Sequence, residues 1–266
     1  MQIRTASSPR GYASVLCAAM LLAFPFAAGC DDGDGGGGGG GAAGSSASTS
    51  SASAGGGGAA ACGPDVDAPE EVLPGAADPE AGVFTLAEAL ADLPEGPGPL
   101  RAILDTDKGE ITCELFPEQA PNAVANFVGL ARGRRPFRDS ATGSWVKRRF
   151  YDGLTFHRVI PEFMAQGGDP LGTGEGWPGY EFDDEISALE HRAGTLAYAN
   201  AGADTNGSQF YITEVATDWL DGDYTIFGQC APVEVVTAMT HVETDEDDKP
   251  LVELRLREVT ITRCAP

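Results

Sequence analysis

A run of small residues between positions 31 and 61 limits how this chain can fold. It contains only glycine, alanine, serine, threonine and three aspartates, and it holds thirteen of the 36 glycines in the 266-residue chain. Because it has no large apolar side chains to bury, it cannot offset the entropy lost on ordering, and it is predicted to be a random coil. Its root-mean-square end-to-end distance as a random coil would be about 30 Å. The sequence therefore predicts a tether over residues 30–61, with any buried core in the residues that follow.

The residues before this tether have the pattern of an export signal. Arg4 and Arg10 precede a short apolar run that reaches residue 28, and small residues close the segment. This order is typical of a secretory signal, here over residues 1–29. The final Ala-Ala-Gly-Cys resembles a bacterial lipoprotein signal, which implies lipidation of Cys30, anchoring in a lipid bilayer and a place in the periplasm or cell envelope. Cleavage after a small residue, which would release a soluble secreted protein, is the alternative.

The charge of the chain excludes one class of partner. Forty Asp and Glu residues against 17 Lys and Arg residues give a net charge of −23. A surface of that sign repels phosphate backbones, so nucleic acid is not expected as a partner.

Residues 62–99 are rich in proline and acidic side chains. Within them Thr85 and Glu88 have the spacing of a capping box, which predicts a short helix that runs to Leu93. Phe84 and Leu90 share an apolar face with Leu93. The helix is therefore expected to pack on the domain that follows.

From residue 100 to residue 266 the pattern is that of a mainly β domain. The β-prone runs 103–106 and 110–116 flank Asp107-Lys108-Gly109, which predicts a hairpin. Helices are predicted from Pro121 and over residues 233–241. Further short strands are predicted at 154–160, 194–199, 209–213, 224–228 and 251–262. Many short strands with two helices favour a closed β-barrel capped by the helices over alternating βαβ units.

Four sequence blocks in this domain resemble those of one enzyme family. They are FHRVIPEFMAQGGD at 156–169, YANAG at 198–202, NGSQFYI at 206–212 and WLDG at 219–222. Their order and spacing are similar to those of the cyclophilin-type peptidyl-prolyl cis-trans isomerases, over residues 100–264. The resemblance implies a closed eight-stranded antiparallel barrel capped by two helices. It also implies a monomeric enzyme without metal or cofactor that isomerises X-Pro bonds in polypeptide clients and so assists their folding.

The isomerisation makes and breaks no covalent bond. The X-Pro amide has partial double-bond character and isomerises slowly, so a catalyst must favour the twisted amide, in which the proline nitrogen regains a lone pair. By the resemblance, Arg158 is the catalytic arginine that donates a hydrogen bond to this nitrogen. Such a bond contributes about 1.5–3 kcal/mol, whereas each factor of ten in rate needs about 1.4 kcal/mol. The rest of the acceleration must come from holding the substrate chain.

The resemblance also assigns the residues that hold the substrate. With Arg158, it places Gln166 and Asn200 in the catalytic set. Gln166 and Gln209 are expected to hold substrate carbonyls and to orient Arg158, and the backbone of Asn200 to pair with the extended substrate. The other substrate-binding residues implied are His157, Phe163, Met164, Ala199, Ala201, Tyr211, Trp219, Leu220 and Tyr224.

Two of these residues depart from the usual pattern of the family. Tyr211 stands where Phe is usual at the pocket floor, and Tyr224 stands where many members have His. The added hydroxyl of Tyr211 needs a hydrogen-bond partner or access to water. Both departures support an alternative function, a non-catalytic cyclophilin-like module or holdase that binds proline-containing segments.

Four cysteines other than Cys30 follow the signal. Cys62, Cys113, Cys230 and Cys264 allow three connectivities in an oxidising compartment. The resemblance favours 113–230, because the two strands run side by side in that fold, and 62–264, because these residues bracket the domain.

Two charged segments have no assigned chemistry. Residues 132–149 form an insertion relative to the shortest cyclophilins and carry Arg132, Arg134, Arg135, Arg138, Lys147, Arg148 and Arg149. The insertion is either a surface loop held against the domain's own acidic residues or a docking site for an acidic client or envelope polymer. The acidic run 243–248 lacks the spacing of a calcium loop and is interpreted as a solvated turn.

Overall fold

The computed structural model describes residues 69–94, 96 and 98–263, and the predicted signal, Cys30 and the tether lie outside this range. Three α-helices, one short 3₁₀ helix and eleven strands are present among the described residues. The helices are α1 (Leu86–Ala89), α2 (Pro121–Ala131) and α3 (Val233–Thr240), and the 3₁₀ helix is Asp218–Leu220. The strands are β1 (Glu71–Leu73), β2 (Arg101–Thr106), β3 (Gly109–Leu115), β4 (Phe137–Arg138), β5 (Trp145–Lys147), β6 (Arg158–Ile160), β7 (Met164–Gly167), β8 (Thr195–Tyr198), β9 (Phe210–Thr213), β10 (Ile226–Ala231) and β11 (Leu256–Thr262).

Eight of the strands form one curled antiparallel sheet in the order β11-β2-β3-β10-β8-β9-β7-β6. The predicted hairpin is its β2–β3 pair, in which Thr106 lies opposite Gly109 across a two-residue turn. Gly109 has a φ of 129°, a backbone conformation that favours glycine. Alternation along β2 buries every second side chain, so one face of this hairpin packs into the core.

The sheet is open, and the prediction of a closed barrel is wrong. The edge strands β6 and β11 are not joined by a ladder within the described residues. The segments beside them approach through one bridge, Thr155 with Arg255, and through separate hydrogen bonds such as Val159 N to Asp248 O at 2.9 Å. The edges do not pair because β6 has only three residues and faces the irregular loop that precedes β11.

Helix α2 packs across the inside of the curled sheet. Its Phe127 lies 4.9 Å from Tyr151, 5.6 Å from Phe210 and 5.3 Å from Phe227, measured between ring centroids. All four aromatic side chains are fully buried. The helix starts at Pro121, as predicted, because proline lacks only an N–H that the first turn leaves unbonded anyway. Among the described residues, no helix combines the length and apolar character needed to cross a bilayer.

The segment before residue 100 is part of the folded domain. Thr85 and Glu88 form the predicted capping box, with the Thr85 N–H donating to the Glu88 carboxylate at 2.7 Å. Helix α1 ends at Ala89 rather than at Leu93, and a turn follows in which Asp92 has a φ of 58°. Phe84, Ala89 and Leu93 are buried in the core, so the predicted packing of this segment on the domain is confirmed.

The basic insertion holds this N-terminal segment. Arg132 is almost completely buried and donates to the carbonyls of Ala89 and Ala91, at 2.5 and 3.0 Å. The guanidinium of Arg135, also buried, lies 3.8 Å from the centroid of the Tyr180 ring. The other pairs are Arg134 with Asp92, Lys147 with Glu80, Arg148 with Asp139 and Glu70, and Arg149 with Asp152 and Glu258. These contacts favour the first of the two interpretations, in which the insertion pairs with the domain's own acidic residues.

Cys113 on β3 and Cys230 on β10 lie directly opposite each other and form a disulfide. Both side chains are buried. Cys62 and Cys264, the second predicted pair, lie outside the described residues.

Candidate functional site

A surface cavity of about 270 Å³ brings together most of the residues that the sequence singled out. Its lining consists of Arg158, Phe163, Met164, Gln166, Ala199, Asn200, Tyr211, Leu220 and Tyr224. The lining therefore combines one cationic side chain with apolar and aromatic ones and two amide residues, Gln166 and Asn200.

Three adjacent antiparallel strands set the geometry of this cavity. Arg158 on β6 lies opposite Gln166 on β7, and Gln166 lies opposite Tyr211 on β9. Residues directly opposite in a sheet project from the same face, so the three side chains form a row. Met164 and Tyr211 are only 2 % and 5 % exposed, and their side chains make the floor of the cavity apolar.

Arg158 is oriented by a carboxylate that the sequence did not single out. Its Nε lies 3.5 Å from Oδ2 of Asp248, and both side chains are a little over 40 % exposed. Arg158 forms no hydrogen bond with Gln166 or Gln209 in the described structure. The prediction that the two glutamines orient the arginine is therefore not supported, because Gln166 donates to Gln209 instead, at 2.9 Å. The acidic run is more than a solvated turn, since its last residue contacts Arg158.

A second cavity, of about 420 Å³, continues from the first and shares Gln166, Ala199 and Asn200 with it. Ala201 and Gln209, both predicted to bind substrate, line this second cavity. The Gln209 amide donates to the carbonyls of Gly174 and Gly176, each at 2.9 Å. Gln209 thus ties Gln166, which lines both cavities, to the glycines of the second one.

The loop that forms the far wall of the second cavity is organised by Asp169. This buried carboxylate accepts backbone N–H bonds from Leu171, Thr173 and Gly174 at 2.5 to 2.9 Å. Burial alone would raise the pKa of Asp169, but these bonds outweigh it and hold the pKa below its ordinary value. A side chain at Gly176 would meet the Asp169 carboxylate at 1.7 Å, so only glycine fits there.

The side chain of Asn200, a residue that lines both cavities, is held by its neighbours. The side-chain amide donates to Asp184 at 3.3 Å and to Asn206 at 3.4 Å, and its oxygen accepts from Gly202 N–H at 3.3 Å. The preceding residue, Ala199, donates its backbone N–H to Gln209 O at 3.0 Å. The pairing of the Asn200 backbone with a bound chain stays a prediction.

Two predicted residues, Trp219 and His157, line neither cavity. Trp219 is 62 % exposed on the 3₁₀ helix and contacts Phe163, which lines the first cavity, with the two ring centroids 5.9 Å apart and the rings tilted by 36°. His157 is buried, lines neither cavity, and has no hydrogen-bond partner for either ring nitrogen in the described structure. Burial lowers the pKa of His157 and outweighs the opposing effect of Asp169. The expectation that both residues form the pocket wall is therefore not supported for His157, which is buried just before β6.

Comparison with known proteins assigns this site to a family. The sequence profile described as "Cyclophilin type peptidyl-prolyl cis-trans isomerase/CLD" matches residues 101–261. The chain belongs to the cyclophilin-type peptidyl-prolyl isomerases. The enzyme class predicted from the four sequence blocks is thereby confirmed.

Individual relatives agree with this assignment. The chain is 45 % identical over 166 residues to peptidyl-prolyl cis-trans isomerase A of Mycobacterium tuberculosis, covering 60 % of this chain and 91 % of the relative. It is 45 % identical over 168 residues to peptidyl-prolyl cis-trans isomerase B of Streptomyces anulatus, covering 61 % of this chain and 96 % of that relative. A crystal structure of a cyclophilin-type isomerase from Cryptosporidium parvum is 35 % identical, with a TM-score of 0.52, and covers 60 % of this chain and 96 % of that one.

In this cyclophilin the hydroxyl of Tyr211 has a protein partner. It lies 2.8 Å from Nε2 of His191, whose Nδ1 lies 2.7 Å from Oδ1 of Asp221. His191 and Asp221 were not predicted as site residues, and neither were Asp169 and Asp248. Asp169 and Asp221 fall inside quoted sequence blocks and could have been found there. His191 and Asp248 have no local sequence signal, because their roles depend on contacts with distant strands.

Proposed function

We propose that this cyclophilin accelerates X-Pro isomerisation by placing the proline ring in the 270 Å³ cavity beside Arg158. The observation that carries the proposal is the row of Arg158, Gln166 and Tyr211 across three strands, with an apolar floor beneath one cation. Phe163, Met164, Leu220 and the ring of Tyr211 would enclose the proline ring. A crystal structure of the Cryptosporidium parvum relative was determined in the presence of the dipeptide Ala-Pro, which supports a proline-containing peptide as ligand.

Arg158 would act on the twisted amide rather than on either planar form. Its Nε faces Asp248, so the terminal nitrogens of the guanidinium are the donors available to the proline nitrogen. In the planar amide this nitrogen has no free lone pair, so the bond strengthens only as the amide twists. That difference is what lowers the barrier.

The second cavity would hold the polypeptide on one side of the X-Pro bond. Gln166 and Asn200 line both cavities. The Gln166 side chain and the Asn200 backbone would bond to the main chain of the client. When the chain is held on one side of the X-Pro bond, the other side can rotate about the amide, and this supplies the positional part of the catalysis.

Exchange spectroscopy with a proline peptide tests this proposal. Catalytic amounts of the purified chain should increase the cis–trans exchange rate of an Ala-Ala-Pro-Phe peptide without changing the cis-to-trans ratio. A non-catalytic holdase would instead leave the exchange rate unchanged and shift the ratio in proportion to the amount of protein.

We further propose that the enzyme is an exported, lipid-anchored protein that assists folding in the bacterial periplasm or cell envelope. Three features of the sequence support it: the pattern of residues 1–29, the Ala-Ala-Gly-Cys that ends at Cys30, and the composition of residues 31–61, which is mostly glycine, alanine and serine. The Cys113–Cys230 disulfide also supports it, because such bonds persist in oxidising compartments. Labelled palmitate should be incorporated into the wild-type chain and not into the Cys30→Ala variant; equal labelling would reject the anchor.

A further inference from the structure

The floor of the proline cavity is connected to a buried hydrogen-bond network. The hydroxyl of Tyr211 lies 2.8 Å from Nε2 of His191. The Asp221 carboxylate lies 2.7 Å from Nδ1 of the same ring and also accepts the His191 backbone N–H at 2.7 Å. The His191 side chain is fully buried, whereas that of Asp221 is 29 % exposed. His191 therefore links the cavity floor to an anchor at the surface.

The partners of the ring determine which way the hydrogen bonds run. A carboxylate can only accept, so Nδ1 of His191 carries the proton that is donated to Asp221. When the ring carries only this proton, Nε2 is an acceptor, and the Tyr211 hydroxyl donates to it. Two hydrogen bonds from His191 hold the pKa of Asp221 below its ordinary value, and the one from the backbone N–H has the larger effect. This anchor is therefore a carboxylate at neutral pH.

The same histidine also contacts the other aromatic residue of the cavity. The ring of Tyr224 packs edge-on against His191, with centroids 6.4 Å apart, and edge-on against Tyr211 at 5.8 Å. The rings of His191 and Tyr211 are nearly parallel, 6.0 Å apart. The two residues that depart from the usual family pattern are therefore packed on one another and on one common partner.

We propose that His191 is a positioning residue that fixes the Tyr211 floor and the Tyr224 wall, and so determines how tightly the cavity holds the ring that enters it. His191 does not line the cavity, so it acts only through these two tyrosines. The inference rests on the proposed function in taking the proline ring as the occupant. An anchored floor contacts the proline ring equally in the planar and the twisted amide. Losing the anchor should therefore weaken binding of both states, which raises KM and leaves kcat unchanged.

A double-mutant cycle between Tyr211 and His191 tests the inference. Tyr211→Phe removes the hydroxyl and leaves Nε2 without a donor, and KM for an Ala-Ala-Pro-Phe peptide should rise roughly three- to tenfold with kcat changed less than twofold. His191→Phe should raise KM similarly. The KM of the double variant should rise by less than the product of the two single increases, because neither partner is then left unpaired.

A matched control separates positioning from general stability. Tyr198→Phe also removes a buried hydroxyl, which bonds to Asn126 and to the Ala123 carbonyl away from the cavity, and it should leave KM unchanged. If His191→Phe does not fold, Asp221→Asn replaces it in the cycle, since its side chain is partly exposed. An unchanged KM in Tyr211→Phe, or an equal rise in Tyr198→Phe, overturns the inference.

Peptide binding distinguishes failure of this inference from failure of the proposed function. The Kd of the same peptide, measured by titration for all variants, should follow the KM pattern. If the wild-type chain binds the peptide without isomerising it, the proposed function fails, and the Kd values still decide the role of His191. Kd values equal in wild type and Tyr211→Phe reject the role whether or not the chain is catalytic.

Discussion

Arg158, which lines the 270 Å³ cavity, forms an ion pair with Asp248, with 3.5 Å between Nε and Oδ2. A backbone hydrogen bond next to the ion pair also joins the two segments, because the N–H of Val159 donates to the Asp248 carbonyl at 2.9 Å. Asp248 has a φ of 61°, a conformation that Asp and Asn tolerate better than most residues. The carboxylate therefore contacts one nitrogen of the guanidinium, Nε, and the two terminal nitrogens can donate to a substrate in the cavity.

Asp248→Asn should lower kcat/KM up to about fivefold, because exposed ion pairs contribute at most about 1 kcal/mol. The asparagine keeps the backbone conformation and removes only the charge. Added salt should lower the wild-type value towards that of the variant, since screening weakens the same pair. Equal salt dependence in both proteins, or a more active variant, would show that Asp248 does not orient Arg158.

The Asp169 loop should make stability depend on pH in the acid range. The pKa of Asp169 is lowered in the folded chain, so its stabilisation is complete above the unfolded pKa, about 3.9, and is lost as pH falls through the folded pKa. Asp169→Asn should cost about 1–3 kcal/mol in the free energy of unfolding at neutral pH. Denaturant titrations should show this difference shrinking below about pH 4.

Asp245→Asn is the control for that titration. Asp245 also accepts backbone N–H bonds, from Asp247 and Lys249 at 3.0 Å, but its carboxylate is exposed. Its substitution should change stability by less than about 1 kcal/mol. A difference between wild type and Asp169→Asn that stays constant from neutral pH to pH 2 would contradict the assignment.

The Cys113–Cys230 disulfide should contribute substantially to stability, because it closes a loop of 117 residues. Replacing both cysteines by alanine should lower the free energy of unfolding by about 2–5 kcal/mol. The double variant isolates this bond, whereas a reductant would also act on Cys62 and Cys264. Unchanged unfolding in denaturant would mean that the two thiols are free in the isolated protein.

Arg132 should hold the N-terminal segment on the domain. Arg132→Met keeps much of the side-chain volume but leaves the carbonyls of Ala89 and Ala91 without this donor, at a cost of about 1–3 kcal/mol. Hydrogen exchange of residues 84–93 should accelerate accordingly. Arg134→Ala, which breaks only the ion pair with the exposed Asp92, should change exchange far less; equal acceleration would contradict a specific role for Arg132.

Local sequence patterns were sufficient where neighbours along the chain decide the structure. The β2–β3 hairpin depends on the turn before Gly109, and α2 depends on Pro121 and its apolar stripe, so both were predicted. The resemblance to a family added the residues of the cavity lining, which no local pattern would have brought together.

The remaining errors concern contacts between distant segments. Whether β6 pairs with β11 depends on the loop between residues 241 and 255, and strand patterns contain no information on that closure. The partner of Arg158 belongs to that loop, and the partner of the Tyr211 hydroxyl lies before β8. A buried arginine such as Arg132 looks in sequence like any other basic residue of the insertion.

The central claim is that Arg158 provides the catalytic hydrogen bond, and the most direct test is the kcat/KM of Arg158→Ala for an X-Pro peptide. A charge-assisted bond of about 1.5–3 kcal/mol predicts a loss of about ten- to a hundredfold, with an unchanged peptide Kd. Arg192→Ala, an exposed arginine paired with Glu190, should retain full activity. A kcat/KM of Arg158→Ala within twofold of wild type would contradict the account.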